Sequence, residues 1–586
     1  MKTKVATVSK IAGLVALAVS AGTAFGAEVA AGHTERYIVQ GSDLQSARMQ
    51  VAHVGASVRQ EFAIIRGVST DLTPSQVAQL QHIRGLHLFR DAALSTSALA
   101  PAPKAPAPLA PTFDTTSYRF VDGTAFKAEK NFETNYPQLV GATELQDSGL
   151  NGRGVGIAVL DSGLWTGGAG ELDKRVVASV DVLTDGKPVK SDPYGHGTHI
   201  ASIAAGATPG KDGRPFGIAP GANLVVVRAF DGKGVASYAN VIAGIQWIIT
   251  NRQKYNIRVL NLSFGAPPQS NYWEDPLNQA VMAAWKAGVV VVAAAGNEGP
   301  DPMTIGVPGN TPYVITVGAL TDNYTPYDAS DDRLASFSSA GPTYEGFIKP
   351  DLVAPGGHMV GTVSPDSYLA NLDPGSVQKD QSLFIMSGTS QATAVTSGIV
   401  ALMIQANPAL SPDDVKCRLL SASRAAVSPS GELAYSIFQQ GAGLVNAVAA
   451  VRGTALGCAN QGLDISADIA GTKHFGGPAN QDADGNFYVM DMDGAAWGQD
   501  VTGDGFTWSR GFTWSRGFTW SRGYTWSRGF TWSRGYTWSR NEAWTSGFTW
   551  SRGYTWSRTL PWWDAKTGNS ISTTKSASAG WLLPNE

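Results

Sequence analysis

Four residues, Asp161, His196, Asn297 and Ser390, have the types and surroundings needed for base-assisted attack of a hydroxyl on a carbonyl carbon. Asp161 closes the apolar run Val155-Gly156-Ile157-Ala158-Val159-Leu160. A carboxylate there can accept a histidine N–H and hold that ring in one tautomer; an aspartate after a strand also commonly shapes a turn. His196 lies in Gly195-His196-Gly197-Thr198-His199, where flanking glycines let backbone and substrate come close. A metal site shared with His199 is the competing reading. Against it, the two histidines are three apart and the glutamate beside the first histidine of a zinc-protease helix is missing. Ser390, in Ser387-Gly388-Thr389-Ser390-Gln391-Ala392, opens an apolar helical stretch. A helix N-terminus offers unpaired N–H groups and a positive dipole end to a developing anion, though the same position suits a plain cap. Asn297, in Ala295-Gly296-Asn297-Glu298-Gly299, carries an amide that can donate to a tetrahedral oxyanion, or can serve a tight turn.

Each of these residues stands at the end of a candidate sheet element. Apolar, β-rich runs recur at 155–160, 224–227, 259–262, 289–292 and 313–317, with helical stretches between them. Continuous rather than alternating apolar character suits parallel strands covered on both faces. Strands alternating with helices predict an α/β fold built on an open, doubly wound parallel sheet. In such sheets the reactive groups gather at the carboxyl ends of the strands.

The order Asp161, His196, Asn297, Ser390, with the closing Gly441-Ala442-Gly443-Leu444-Val445-Asn446-Ala447, resembles the subtilisin-like serine proteases over residues 150–452. The resemblance implies a secreted serine endopeptidase acting on protein or peptide substrates by acyl transfer, with Asp161, His196 and Ser390 as the triad and Asn297 as oxyanion donor. No cofactor is required for that chemistry. It further implies that Ser263, Phe264 and Gly265 form one wall of the main specificity pocket and Ala294, Ala295 and Gly296 the other, with Gly306 at the base. These residues are small or apolar, so a large apolar side chain is expected before the scissile bond, with Glu298 at the rim partly admitting Lys or Arg. Gly232, Lys233 and Gly234 resemble the segment that pairs with extended substrate as an added strand. The sequence departs from the family pattern at Gln391, where methionine usually follows the serine, and at Ala394-Val395, where Pro-His is usual. The competing view of the whole chain is a surface adhesin carrying an inactive or processing-only protease domain.

The remaining chain divides by composition. Residues 1–26 read as a signal peptide: Lys2, Lys4 and Lys10 precede an apolar run, Ile11 to Val19, too short to span a bilayer comfortably. Residues 27–100 hold a small α+β unit. Arg36-Tyr37-Ile38-Val39 and Glu61-Phe62-Ala63-Ile64-Ile65 are its candidate strands. Thr73, Pro74 and Gln76 are placed to start a helix with a capping box, with Leu72 and Val77 as its staple. This unit resembles the ferredoxin-like propeptide of subtilisin-like proteases, which implies a chaperone and transient inhibitor. Alternating proline at 101–108 marks residues 101–135 as an exposed linker and arm. The catalytic domain is expected at 136–452 and a connecting segment at 453–504. Cys417 and Cys458, the two cysteines of the chain, are an even pair that suggests a disulfide in an exported protein.

Structural calcium is common in the family, but its usual loops are not clearly matched. Asp482-Ala483-Asp484-Gly485-Asn486 resembles a calcium loop only in part, since Phe487 stands where an EF-hand needs glycine. From 505 to 558 the chain repeats Gly-(Phe/Tyr)-Thr-Trp-Ser-Arg, followed by a tail at 559–586. An even period of six keeps aromatics and arginines on one face of an extended strand and would be smeared on a helix. The repeat is thus expected to be strand-forming or disordered, with contact to a surface, glycan or polyanion as its functional reading. The net charge of −3 gives no global attraction to nucleic acid or anionic membrane, and no specific nucleic-acid partner is expected.

Overall fold

The computed structural model describes residues 33–96 and 136–489, apart from 167–169, 185, 190, 210–212, 323–331, 379–381, 428–433, 461 and 482–486, together with short strands between 512 and 581. The stretches expected as signal peptide and proline-rich linker, the calcium-like stretch and most of the hexapeptide repeat lie outside the described residues. Among the described residues no helix is long and apolar enough to cross a membrane. The chain forms two units, residues 1–92 and 93–586.

The first unit runs β1 (Glu35–Gln40), α1 (Leu44–His53), β2 (Val58–Phe62), β3 (Gly67–Leu72), α2 (Pro74–Leu80) and β4 (His87–Arg90). Its antiparallel sheet has the order β2-β3-β1-β4, the βαββαβ arrangement. Val39, Val51, Val68, Leu72 and Leu80 form its core. The start of α2 follows its local chemistry. Thr73 accepts the Gln76 N–H and the Gln76 side chain accepts the Thr73 N–H, with Pro74 inside the first turn. The strand expected at 61–65 lies earlier, at 58–62. Residues 63–65 instead form a 3₁₀ turn, ended by Arg66 in the left-handed region, which reverses the chain into β3.

The second unit begins with β5 (Ala93–Thr96), β6 (Gly156–Asp161), β7 (Val176–Asp181), α3 (His196–Ala205), β8 (Asn223–Arg228), β9 (Val235–Ser237), α4 (Tyr238–Asn251), β10 (Ile257–Leu262) and β11 (Phe264–Gly265). It continues with α5 (Pro276–Lys286), β12 (Val290–Ala294), β13 (Ile315–Thr321), β14 (Arg333–Leu334), β15 (Leu352–Pro355), β16 (Met359–Thr362), α6 (Tyr368–Leu372), β17 (Val377–Gln378) and β18 (Leu383–Met386). Then come α7 (Thr389–Ala406), α8 (Pro412–Ala422) and α9 (Ile465–Ala470).

The central sheet has the order β14-β13-β12-β10-β6-β8-β7, with β15 also on β13. All of its pairings are parallel except β13 with β14. Every residue of β6 and of β12 is buried, which is why their sequences are continuously apolar. Helices α3 and α7 pack on each other, and α7 runs along β10, β12 and β13. Helices α4 and α5 pack together against β6 and β12. The five apolar runs of the sequence thus become β6, β8, β10, β12 and β13, and their carboxyl ends deliver Asp161, Ser263 and the turn leading to Asn297.

Residues 453–489, expected only as a connector, are docked on this unit. Cys417 of α8 is joined to Cys458. Beyond it, buried Asp468 of α9 accepts hydrogen bonds from Tyr272 (2.6 Å) and Tyr313 (3.0 Å) and pairs with His474 Nδ1 (2.7 Å). Of the repeat, Phe512–Thr513, Gly523–Ser527 and Tyr536–Thr537 are short strands paired in parallel.

The disulfide closes a sequence separation of 41 residues. Loop-closure entropy for that length is worth about 4 kcal/mol at 25 °C. A Cys417→Ser/Cys458→Ser double variant is therefore expected to lose roughly that much unfolding free energy in a urea titration. A loss under about 1 kcal/mol would mean that the Asp468 cluster alone fixes the segment.

Candidate active site

Asp161 is the last residue of β6 and is fully buried. A buried carboxylate is costly unless several donors meet it, and three do. Its Oδ1 accepts the Ser162 N–H at 2.7 Å and the Ser162 hydroxyl at 3.2 Å. His196 Nδ1 lies 2.8 Å from Oδ1 and 2.9 Å from Oδ2. With Nδ1 donating to the carboxylate, Nε2 is the ring nitrogen left to accept a proton. Nε2 is buried and has no hydrogen-bond partner among the described residues.

His196 opens α3, and the approach of that helix to β6 depends on Gly197. A Cβ at Gly197 would lie 2.4 Å from the Gly163 carbonyl oxygen and 3.2 Å from Asp161 Cβ. The turn before the helix is held by a second buried aspartate. Asp192 accepts the N–H groups of Gly195 and Thr198, each at 2.8 Å, and the Thr198 hydroxyl at 2.7 Å. Nothing local in the sequence marks Asp192 for this work.

His199 faces away from His196. Its Nε2 donates to the Phe384 carbonyl at 3.0 Å and its Nδ1 accepts from Gln391 Nε2 at 3.4 Å. The reading of His196 and His199 as a shared metal site thus fails on orientation. Among the described residues no cluster of three or more His, Cys, Asp or Glu could hold a metal ion. Complete burial lowers the His199 pKa from 6.5 to about 3, so the ring is neutral.

Ser390 lies in the first turn of α7, fully buried. Its hydroxyl donates to the Ser263 carbonyl at 3.0 Å, and the Ser263 hydroxyl donates back to the Ser390 carbonyl at 2.9 Å. Ser390 Oγ makes no hydrogen bond to His196 in this conformation. The contact between His199 and Gln391 is one link between α3 and α7 near their starts. Asn297 is half-buried, and its Oδ1 accepts both the N–H and the hydroxyl of Thr389 at 3.0 Å. The amide is thereby oriented on the residue preceding Ser390.

Some of the residues expected to line the specificity pocket are joined by backbone pairing. Ala266 and Val307 exchange hydrogen bonds at 3.1 and 2.8 Å, and Gly306 donates to Ala295 at 3.0 Å. Ala266 and Ala295 are thus linked through the 306–307 segment. Glu298 is exposed at the rim. Gly232 and Lys233 lie in a turn in which Asp231 Oδ1 accepts the Lys233 N–H at 2.8 Å, and strand pairing begins only at Gly234. The partner of that strand is the chain itself. β5 lies antiparallel between β9 and β11, with Ser95 opposite Val235 and Gly265, and Thr96 opposite Phe264. The Thr96 N–H donates to the Gly234 carbonyl at 3.1 Å.

A model of the subtilase family matches residues 152–443. Serine protease AprX of Bacillus subtilis is 42% identical over 279 residues, which cover 46% of this chain and 60% of AprX. Subtilisin DY of Bacillus licheniformis is 32% identical over 316 residues, 54% of this chain and 97% of that protein. Among solved structures, fervidolysin from Fervidobacterium pennivorans, described as a keratinolytic enzyme related to subtilisin, has a TM-score of 0.55 at 22% identity. That match covers 78% of this chain and 65% of fervidolysin and shows a shared fold.

His199 gives the site a defined acid response. Its proton affinity is lower folded than unfolded, so the unfolded chain binds the extra proton below about pH 6.5. The stability it confers is intact above that pH and is lost as pH falls toward 3. In urea titrations across that range, His199→Gln should show a shallower decline than the wild type; parallel declines would rule His199 out as the cause.

Proposed function

Because the chain belongs to the subtilase family of serine-type endopeptidases, we propose that Asp161, His196 and Ser390 are its catalytic triad, with Asn297 and the Ser390 N–H as oxyanion donors. The observation that carries this reading is the buried Asp161–His196 pair, which fixes Nδ1 and leaves Nε2 as the base. For reaction, the Ser390 hydroxyl leaves the Ser263 carbonyl and turns to Nε2, a bond that commonly tightens only with substrate bound. His196 takes the hydroxyl proton as Ser390 Oγ attacks the peptide carbonyl. The oxyanion is met by the Asn297 amide and by the first-turn N–H of α7. His196 then protonates the leaving amine, and water hydrolyses the acyl-enzyme.

The chain is read as a secreted, self-processing zymogen. Residues 27–100 act as the propeptide, and β5 as the part of it that occupies the strand position of extended substrate. Support comes from its antiparallel register between β9 and β11, the arrangement by which a peptide adds to an exposed sheet edge. A large apolar side chain before the scissile bond is favoured by the apolar walls at Phe264 and Ala294–Ala295 and the glycine floor at Gly306. The hexapeptide repeat is a separable module for contact with a surface, glycan or polyanion. No bound metal is needed for the chemistry.

Intact-mass analysis of the secreted protein tests the triad. The wild type should lose the propeptide and Ser390→Ala should retain it. Asn297→Ala should lose it about 10²–10³ times more slowly, the cost known for the oxyanion asparagine of subtilisin itself. Propeptide loss by Ser390→Ala at the wild-type rate would favour the adhesin reading with external processing. The pocket is tested separately with a peptide library, where cleavage after Phe, Tyr, Leu and Met should dominate. Cutting mainly after Asp or Glu would refute the apolar pocket.

A further inference from the structure

The loop before His196 is covered by a strap that the catalytic chemistry does not use. The strap runs from Val363 through α6 to β17 and is pinned by β18, with Val377 opposite Phe384. It has a small core of its own, in which Tyr194 packs with Val363, Leu369, Ala370, Phe384 and Met386. Backbone hydrogen bonds tie it to the loop. Tyr368 N–H donates to the Pro193 carbonyl at 2.8 Å, and Leu369 N–H donates to the Tyr194 carbonyl at 3.1 Å. The rings of Tyr368 and Tyr194 are stacked, with centroids 5.8 Å apart and planes 19° from parallel. Tyr368 is 45% exposed, so its ring is not there to fill a core.

The other side of Tyr194 meets the cleft. A Cβ on Gly234, which has φ +74°, would fall 2.5 Å from Tyr194 Cζ and 2.9 Å from the Thr96 hydroxyl oxygen. Tyr194 and Thr96 therefore crowd the same spot above Gly234, and only glycine leaves room for both. Tyr194 also lies near the reactive histidine, with ring centroids 6.4 Å apart. Along β5, Leu94 and Thr96 are buried while Ala93 and Ser95 are exposed, so alternate side chains enter the protein. The subsite opposite Phe264 is the one that receives Thr96.

We propose that Tyr368 is a specificity-determining residue: stacked on Tyr194, it holds that ring over Gly234 and keeps the subsite opposite Phe264 small. Substrates with threonine or valine there are accepted, and leucine or phenylalanine is refused. The inference rests on the endopeptidase reading, with β5 standing in for substrate. Tyr194 is held through its carbonyl and by the small core, and Tyr368 adds the stacking contact on its ring. Removing the Tyr368 ring frees Tyr194 to swing outward and enlarges the subsite.

The test uses the mature enzyme and peptides with the sequence of residues 91–101, in which Thr96 is kept or replaced by Val, Leu or Phe. Each peptide is assayed by kcat/KM and by competitive inhibition of casein hydrolysis. The wild type should favour Thr and Val over Phe by at least about tenfold, the scale of discrimination by a fitted pocket. Tyr368→Ala should bring that ratio to within about twofold of one, and Tyr368→Phe, which keeps the stack, should restore it. Each ratio is taken within one enzyme, so partial unfolding of a variant scales both rates and leaves the ratio untouched. An unchanged ratio in Tyr368→Ala, or no wild-type preference for Thr over Phe, overturns the proposal. Failure of all four peptides to be cut or to inhibit overturns the substrate-like placement of β5, and the inference with it, while casein hydrolysis reports independently on the endopeptidase reading.

Discussion

A carboxylate without solvent is the constraint around which the second unit is organised. Asp161 sits at the end of a fully buried strand, where an unpaired charge would not survive. Its donors come from the next residue and from a helix start 35 residues later. That helix must come close, which requires Gly197, and its entry must be stiff, which Asp192 supplies through three hydrogen bonds. The imidazole is then held through Nδ1, which leaves Nε2 as its free nitrogen. The orientation of the imidazole here is a by-product of satisfying a buried charge.

The second half of the site is organised by a different exchange. Ser263, at the end of β10, and Ser390, at the start of α7, each give a hydroxyl to the other's carbonyl. Asn261 donates to the Ser263 hydroxyl at 2.9 Å, and Ser397 donates to Asn261 in turn. This polar thread runs through an otherwise apolar contact between helix and sheet. It ties the start of α7 to the end of β10. Buried networks of this kind fix a single arrangement because each member is costly to leave unpaired.

The sheet was legible in the sequence because fully buried parallel strands leave continuous apolar runs, and five such runs became five strands in register. The capping box at Thr73 was legible because all of its atoms lie within four residues. What escaped depends on contacts between distant segments. The roles of Asp192, Ser263 and Tyr368 have no local signature. The 3₁₀ turn at 63–65 has no local signature, because an apolar stretch does not reveal where a strand ends. The docking of residues 453–489 was missed for the same reason, since Asp468 is an ordinary helix aspartate until Tyr272 and Tyr313 converge on it.

Gln391, directly after Ser390, is engaged with His199, at a position where related enzymes commonly carry a thioether. The turn from Thr389 to Thr393 therefore contains no sulfur. Hydrogen peroxide and similar oxidants act on methionine by adding oxygen to sulfur, and an amide offers no such target. Bleaching conditions that silence an enzyme through a sulfoxide beside its serine have no atom to attack in this turn.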